Sequence, residues 1–589
     1  LTVRNTIKLL PSDIETVPAA GASILEAAQA AGVRIASPCG GKGRCGRCIV
    51  LVGESKTPVR ACETPAEPGM VVEIPAGAQA GELSILATGI SRGVEPEPNV
   101  RKVFITPDPP RIGDQRSDTQ RILDSLKDLG IATQPAPGGI GGIPRTPREA
   151  GWDLTAVVIG TDLVGVEPGD MARALYGIAY DIGTTTIVGY LIDLATAEQV
   201  GLASERNPQS PHGEDVVSRI AFASGSERNL KMLQREVVSA LNKILRSACR
   251  QARVKPESVY EAVAVGNPCM ISLSLGVSPE GLTQAPYIAP FDAPQEATMP
   301  ELGIKGSRFG RLVTLPLVSA FVGADTVGVL LAAGIDEGAA TRLAVDIGTN
   351  GEIALAHKGR ILAAATAAGP AFEGWHISCG TQAVPGAVDH VWVGTDDLEI
   401  SRIADGSDAV GLCGSGIADA AALMVEEGIV DPSGRLLTRD QARARPPKLL
   451  QRIRTDGGDR RSFTIAERIS MTQGDVREVQ LAKAAIRAGI NILLAEAGIT
   501  HEDIDEVLLA GAFGNYVNRQ SALSIGLLPP VEIGKIRSIG NAAGEGAKLA
   551  LRSTKERERA QKIAESVEYV ELSGRRGFED EFAAAMRLG

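Results

Sequence analysis

Four cysteines, Cys39, Cys45, Cys48 and Cys62, fall in the spacing C-x5-C-x2-C-x13-C. With only eight cysteines in 589 residues the chain has no disulfide framework, and thiols gathered this closely favour a metal. Two chemistries take four thiolates. Structural zinc usually draws them from two close pairs, each C-x2-4-C, and here only Cys45 and Cys48 form such a pair. The plant-type iron–sulfur pattern is C-x4-C-x2-C with a distant fourth cysteine, one residue tighter than the first gap here. The stretch CGGKGRCGRC also supplies Gly40, Gly41, Gly43 and Gly46. Their backbone N–H groups can come close enough to donate to cluster sulfurs and tune a potential. A [2Fe–2S] cluster is therefore the favoured reading, with zinc as the alternative.

A second constellation is built from aspartate, glycine and threonine. GIAYDIGTTTIVGYLID begins at Gly177 and RLAVDIGTNGEIALAH at Arg342, so that Asp181 and Asp346 occupy the same place in two copies 165 positions apart. Each copy reads as apolar strand, D-I-G-T turn and second strand. Turns of glycine and small hydroxyl residues expose backbone N–H groups to a phosphate. Gly183, Thr184, Thr185 and Thr186 would do so from one copy, and Gly348, Thr349, Asn350 and Gly351 from the other. The two aspartates, at strand ends, suit Mg²⁺ held through its waters. Glu352, just after the second turn, is a candidate for positioning a water. A P-loop, G-x-x-x-x-G-K-[ST], is absent. Two further glycine elements fit the same cleft: DEVLLAGAFGNY, with Gly511 and Gly514, could pack backbone against a flat base. GLCGSGIADA, with Gly414 and Gly416, opens a helix near ribose or adenine, or else marks close helix packing.

These residues need elements to hold them. TIKLL, CIVLVGE and MVVEIP read as strands and SILEAAQAAGV as an amphipathic helix, the order of a β-grasp [2Fe–2S] ferredoxin, which residues 1–78 resemble. RACET around Cys62 is similar to that family's fourth-ligand sequence, although the Cys48–Cys62 gap is short for it. The Gly/Pro-rich residues 79–112 read as a linker. Residues 113–175 read as a small α/β middle domain without recognisable chemistry, with DTQRILDSLKDLG as a helix and LTAVVIG and DLVGVEPG as strands. From 176 to 572 strands and helices alternate, as in a large α/β domain whose duplicated halves face each other across a cleft. Residues 573–589 remain as a C-terminal tail.

The two D-I-G-T turns and A-G-A-F-G resemble the phosphate and adenosine motifs of the acetate and sugar kinase, actin and heat-shock ATPase superfamily, which implies a ribonuclease-H-like ATPase domain. VAVGNPCMISLSLGV, the APF at 289–291, AAGPAFEGWHISCG and GLCGSGIADA resemble, more narrowly, ATP-dependent reductive activators of corrinoid proteins. That resemblance covers nearly the whole chain and is weakest over 76–175. It implies a [2Fe–2S] cluster, ATP and Mg²⁺ as cofactors, a corrinoid protein of a methyltransferase system as partner, and an upstream low-potential electron donor. A homodimer is compatible with it. The implied task is return of inactive Co(II) to Co(I) by an electron from the cluster. Plant-type clusters sit near about −400 mV, and Co(I) lies lower. Each 100 mV of gap costs about 2.3 kcal/mol per electron, which nucleotide-driven conformational change can offset. A small-molecule kinase, or a nucleotide-switched binding protein with a redox-sensing ferredoxin head, is the alternative.

Composition agrees with this class. Aromatics are scarce at 3% and net charge is −11, which disfavours nucleic acid as a partner. There is no run of 18 apolar residues for a membrane span and no signal peptide in LTVRNTIKLLPSDIETV, so a cytoplasmic location is expected. Cys249, Cys269, Cys379 and Cys413 are scattered and read as small buried hydrophobes. His212 and His376 read as structural or surface residues, and STKERERAQKIAE as a solvated helix face. Anaerobically purified protein is expected to carry about two irons and two sulfides, and Cys45→Ser or Cys48→Ser should abolish or strongly alter the cluster's visible absorption. One zinc and no iron would overturn the redox reading.

Overall fold

The structure, a computed structural model, describes residues 6–10, 14–19, 21–31, 33, 35, 48–53, 56–74, 89, 92–136, 143, 145–213, 215–348, 350–404, 408–444, 446–456 and 460–589. Cys39, Cys45 and Thr349 lie outside them.

The N-terminal unit is a five-stranded sheet in the order Ile14–Thr16, Ile7–Leu10, Val71–Glu73, Ile49–Val52, Thr57–Arg60. Its first and last long strands pair in parallel, Lys8 opposite Val71, around one helix, Ile24–Ala30. That helix starts where it does because Ser23 and Glu26 form a reciprocal capping box, the Glu26 N–H donating to Ser23 Oγ and the Ser23 N–H to Glu26 Oε2. Ile24, Leu25, Ala27 and Ala28 then bury against Ile7, Leu9, Val50, Val72 and Ile74. This core draws only on residues of the N-terminal unit.

The next unit departs from the expected boundaries. Val100–Ile105, inside the stretch read as linker, is a strand paired with Leu154–Ile159 (Val100 opposite Ile159) in a four-stranded sheet with Asp162–Pro168 and Gln134–Pro135. The expected helix is there, Asp118–Asp128, capped by Ser117. VRKVFI, with β-branched and aromatic residues, makes a strand whose Val100 and Ile105 bury in different cores on its two faces, a strand that its Pro-rich flanks had masked. The linker therefore ends well before 112.

The remainder is two six-stranded sheets of like design. In the first, the antiparallel run 199–206, 186–193, 176–182 continues into the parallel strands 259–265 and 311–314. In the second, 360–366, 351–357, 342–347 continues into parallel strands 506–510 and 536–540. Asp181 and Asp346 sit near the carboxyl ends of their strands, where open α/β sheets hold ligands. After the last parallel strand of each half comes a helix, Ala324–Ala333 and Ala542–Arg552, and these two cross. They can do so because Gly328 and Gly546 lie at the crossing: a Cβ on Gly546 would collide with the Gly328 carbonyl, and one on Gly328 would lie 2.9 Å from the Ala543 carbonyl.

The expected tail is also corrected. Phe578–Ala585 is a helix packed on the long helix Gln473–Ala497, Leu588 is buried, and Gln480 Nε2 donates to the Met586 carbonyl at 2.6 Å. The charged helix Thr554–Ser566 is likewise more than a solvated face, since Ala560 and Ile563 are buried and Arg559 pairs with Asp336 and Glu337. Cys249, Cys269 and Cys413 are buried and Cys379 half-buried. Among the described residues no helix is long and apolar enough to cross a membrane. Because the first core is self-contained, residues 1–78 expressed alone should fold and give the same visible spectrum as the full chain. An insoluble fragment would show that the later units complete it.

Candidate functional site

A cavity of about 680 Å³ opens between the two halves, within the usual range for small-molecule sites. The hairpin turns bring to it Asp181, Gly183 and Thr184–Thr186 from one side and Asp346, Gly348, Asn350 and Glu352 from the other. Gly414 and Gly511 also line it.

The first turn is a braced loop. Gly183 N–H donates to the Thr186 carbonyl at 3.0 Å, closing it. Asn207 Nδ2 donates to the Gly183 carbonyl at 2.8 Å, the Asn207 N–H to the Thr185 carbonyl at 2.8 Å, and fully buried Arg219 to the Thr184 carbonyl. The carbonyls are thereby turned into the protein. Among the described residues nothing takes the N–H groups of Thr184 and Thr185, which is the polarity an anion needs. Asn267 Nδ2 donates to Thr184 Oγ1 at 3.1 Å from the cap of the helix Pro268–Leu275.

Asp346 and Glu352 are direct cross-strand partners. Asp325, from the start of helix Ala324–Ala333, joins them and Asp181 on the cavity wall. Four carboxyls in a desolvated space resist ionisation. Burial pushes Asp181 up to about 6, opposed by the Asn541 amide, whose Nδ2 donates to Asp181 Oδ2 at 2.8 Å. Burial, joined by the charge of Asp181, takes Asp346 to about 7. Burial also takes Asp325 to about 7, against the N–H of Thr326 and with the charges of Asp346 and Asp181. Burial, then Asp325 and Asp346, hold Glu352 well above the usual carboxylate range. Such a group gains most from a hard cation, which supplies the charge that water no longer screens.

At the other end of the cavity the helix Gly414–Glu426 starts without a side-chain cap, its N-terminus on the wall with Ser415 and Phe513. A Cβ at Gly414 would collide with the Phe372 carbonyl and lie 3.0 Å from the Phe513 ring. Phe513 itself stacks on Phe372, centroids 4.5 Å apart. Gly511 has φ +79°, and any side chain there would strike Asp346 Oδ1, so it serves the carboxylate end rather than lying flat under a base. Three expected residues are off the wall. Gly416 packs against the Val388 carbonyl, Gly514 against Leu509, and Gly351 against Ile486 and Thr366; each lacks a side chain to let elements approach.

Sequence reasoning missed Asn267, Asp325, Asn541 and His390. A signal for two of them was there. VAVGNP and SIGNAAG each run strand, Gly, Asn, helix, and asparagine is among the best helix caps. His390 lines the cavity with its Nδ1 2.8 Å from Asp419 Oδ2, and Asp419 in turn accepts from Ser521 Oγ at 2.6 Å. The Asp419 carboxylate raises the imidazole above its usual value. His212 and His376 lie elsewhere, His212 stacked on Phe222 and pairing with Glu236, His376 exposed.

In the N-terminal unit Cys48 is buried, and its sulfur lies 3.2 Å from that of half-buried Cys62. The Ala61 N–H donates to the Cys48 carbonyl at 2.8 Å, fixing the two strand ends side by side. The two sulfurs converge as ligands of one centre must, and so fit an iron–sulfur cluster.

The carboxyls give a pH signature. A group with raised folded pKa costs stability as pH climbs from its unfolded value near 4, because the unfolded chain releases its proton first. For Asp346 that loss runs from about pH 4 to the folded value of about 7. In metal-free, nucleotide-free protein, Asp346→Asn should melt above wild type near neutral pH, by about 2–4 °C for each kcal/mol relieved. The gap should close toward about pH 4. Thermal melts in EDTA that run parallel across this window would contradict the burial argument.

Known families match the chain in four consecutive pieces. Residues 12–76 match a 2Fe-2S iron-sulfur cluster binding domain, 89–173 the RACo linker region, 176–338 the RACo middle region, and 340–589 the C-terminal domain of RACo, the ASKHA domain. The chain is 34% identical over 557 residues to the corrinoid activation enzyme RamQ of Eubacterium limosum, covering 91% of both chains. It is 27% identical over 390 residues to the [Co(II) methylated amine-specific corrinoid protein] reductase of Methanosarcina barkeri, covering 60% of this chain and 66% of that one. A solved reductive activator for a corrinoid, iron-sulfur protein superposes with a TM-score of 0.75 at 28% identity, over 99% of this chain and 98% of that one. From its cluster-binding sheet to its duplicated nucleotide-binding halves, the chain belongs to the RACo family.

Proposed function

We propose that this protein is an ATP-dependent reductive activator of a corrinoid protein, returning inactive Co(II) to Co(I) in support of methyl transfer. The observation that carries the reading is the union, in one chain 34% identical to a corrinoid activation enzyme, of a [2Fe–2S] domain and a two-half ATPase cleft. An electron carrier working downhill has no use for the second part.

The [2Fe–2S] cluster supplies one-electron storage at low potential. Cys39, Cys45, Cys48 and Cys62 would hold it, and an upstream low-potential donor would refill it. In the cleft, Thr184 and Thr185 offer their N–H groups to phosphate oxygens, with Gly183, Thr186, Gly348 and Asn350 in the two turns; Thr349 would belong to the second. Asp181 and Asp346 would hold Mg²⁺ through its waters beside the phosphates, with the carboxyl of Asp325 on the same wall. Glu352, whose carboxyl is held well above the usual range by burial and by its acidic neighbours, is the candidate to accept a hydrogen bond from the attacking water. The uncapped start of Gly414–Glu426 and the ring of Phe513 receive the nucleoside end. Nucleotide binds the closed arrangement of the halves better than the open one, and that difference offsets the uphill electron. The acceptor is one Co(II) centre of the partner, which takes one electron and becomes Co(I). Work in the cytoplasm, and as a homodimer, is compatible with this reading.

Asp181→Ala and Asp346→Ala should keep the cluster's visible spectrum while losing about 10²-fold or more of ATP hydrolysis, since each removes several kcal/mol of charge organisation. ATP-dependent formation of Co(I), followed by its absorption, should fall with it. A strong artificial reductant given directly to the corrinoid protein should bypass the defect. Wild-type rates of Co(I) formation in these variants would separate ATP from the electron and overturn the reading.

A further inference from the structure

Gly89 and residues 92–97, which lie between the cluster domain and the ATPase in the chain, are docked on the ATPase. Gly89 forms an antiparallel bridge with Gly540, and its N–H donates to Glu545 Oε1 at 3.3 Å. It lies so close that a Cβ would fall 2.7 Å from the carbonyl oxygen of Asn541. Asn541 is the helix cap whose amide holds Asp181, so the chain leading from the cluster touches the back of the nucleotide cleft. Three residues on, Arg92 reaches the other half. Its Nη1 donates to the Leu331 carbonyl at 3.0 Å and its Nη2 to Glu337 at 2.7 Å, at the C-terminal end of helix Ala324–Ala333. Glu97 then returns to the far end of the helix Ala542–Arg552: its N–H donates to the Arg552 carbonyl, its carbonyl accepts from the Thr554 N–H, both at 2.9 Å, and its carboxylate pairs with Lys555.

Gly89, Arg92 and Glu97 thus contact both of the helices that cross at Gly328 and Gly546, and these helices bury in one core, Ala542–Arg552 lying on strands of the first sheet. Gly89 also pairs with Gly540 at the end of a strand of the second sheet, so a rotation between the halves sets that contact against those of Arg92 and Glu97. Packed interfaces respond to such a conflict by switching between discrete arrangements. The sheet of the cluster domain ends at Ile74, and the residues from 75 to 88 can span at most roughly 50 Å. The volume open to the cluster is therefore set by where Gly89 is anchored.

We propose that residues 89–97 are a strap that transmits the state of the nucleotide cleft to the position of the cluster domain, with Gly89 and Arg92 as positioning residues. The proposal rests on the function proposed above and names the element that couples its two parts. Nucleotide that moves Asn541 moves the bridge to Gly89, and by reciprocity a displaced strap alters the cleft.

The test uses the full-length protein with its cluster. Hydrogen exchange of the wild type, with and without a non-hydrolysable ATP analogue plus Mg²⁺, should show the amides of Gly89 and Glu97 changing protection several-fold. Arg92→Ala should keep the cluster spectrum and basal ATP hydrolysis, yet yield on the order of tenfold less Co(I) per ATP hydrolysed, the size of an ordinary coupling energy. Arg92→Lys, which retains one donor, should recover part of it. Gly89→Val, which must lift the strap off Asn541, should lose the nucleotide dependence of exchange. Strap amides blind to nucleotide, or Arg92→Ala losing hydrolysis and reduction in parallel, would overturn the proposal. Failure of the wild type itself to form Co(I) with ATP would instead defeat the functional reading, while the exchange result would still decide the strap.

Discussion

Four carboxyl groups crowded at the junction of two sheets are expensive to keep, and most of the ATPase can be understood as the means of keeping them. Asp181 and Asp346 end paired strands, Glu352 sits opposite Asp346 in the same ladder, and Asp325 arrives on a helix from the first half. All four are half-buried on the cavity wall, and burial, joined at all but Asp181 by the charge of neighbouring carboxylates, drives them toward the neutral form. A fold that tolerates this needs rigid surroundings, and they are visible: parallel strands behind the aspartates, a buried arginine under the threonine turn, and an asparagine cap bonded to Asp181.

The cluster domain obeys a different constraint. Its core is small and closed on itself, so it contributes a redox centre without depending on the packing of the rest. The larger part is instead closely interlocked: where its two halves of like design meet, Gly328 and Gly546 let the backbones of two buried helices touch, and their other side chains fill one core.

Much of this was legible in the residues. The cysteine spacing and the paired D-I-G-T turns announced themselves because their chemistry is local: a turn and its strand supply the geometry. Asp325 and Asn541 did not, because each acquires its meaning only from a strand far away in the chain, Asn541 from Asp181 across 360 positions. Glycine misled in both directions. Gly414 borders the cavity as expected, whereas Gly416, two residues later, is bare because the Val388 carbonyl needs the space. Composition misled at 79–112, where proline and glycine suggested a free spacer. VRKVFI inside it forms a strand, and Gly89 and Arg92 are docked. At the C-terminus GFEDEFAAAMRL carried the apolar spacing of a packed helix, and its charge disguised it.

The two halves differ at one telling point. Each places a polar residue at the start of the helix that follows its last parallel strand, but the first half has Asp325 there and the second Asn541. Glu352, Phe513 and the start of helix Gly414–Glu426 line the cavity from the second half alone, so the cleft has no twofold axis for an elongated ligand. An acid on one side and an amide on the other add to the difference between its two walls. Duplication gave the cleft its shape, and the broken symmetry gives it a direction.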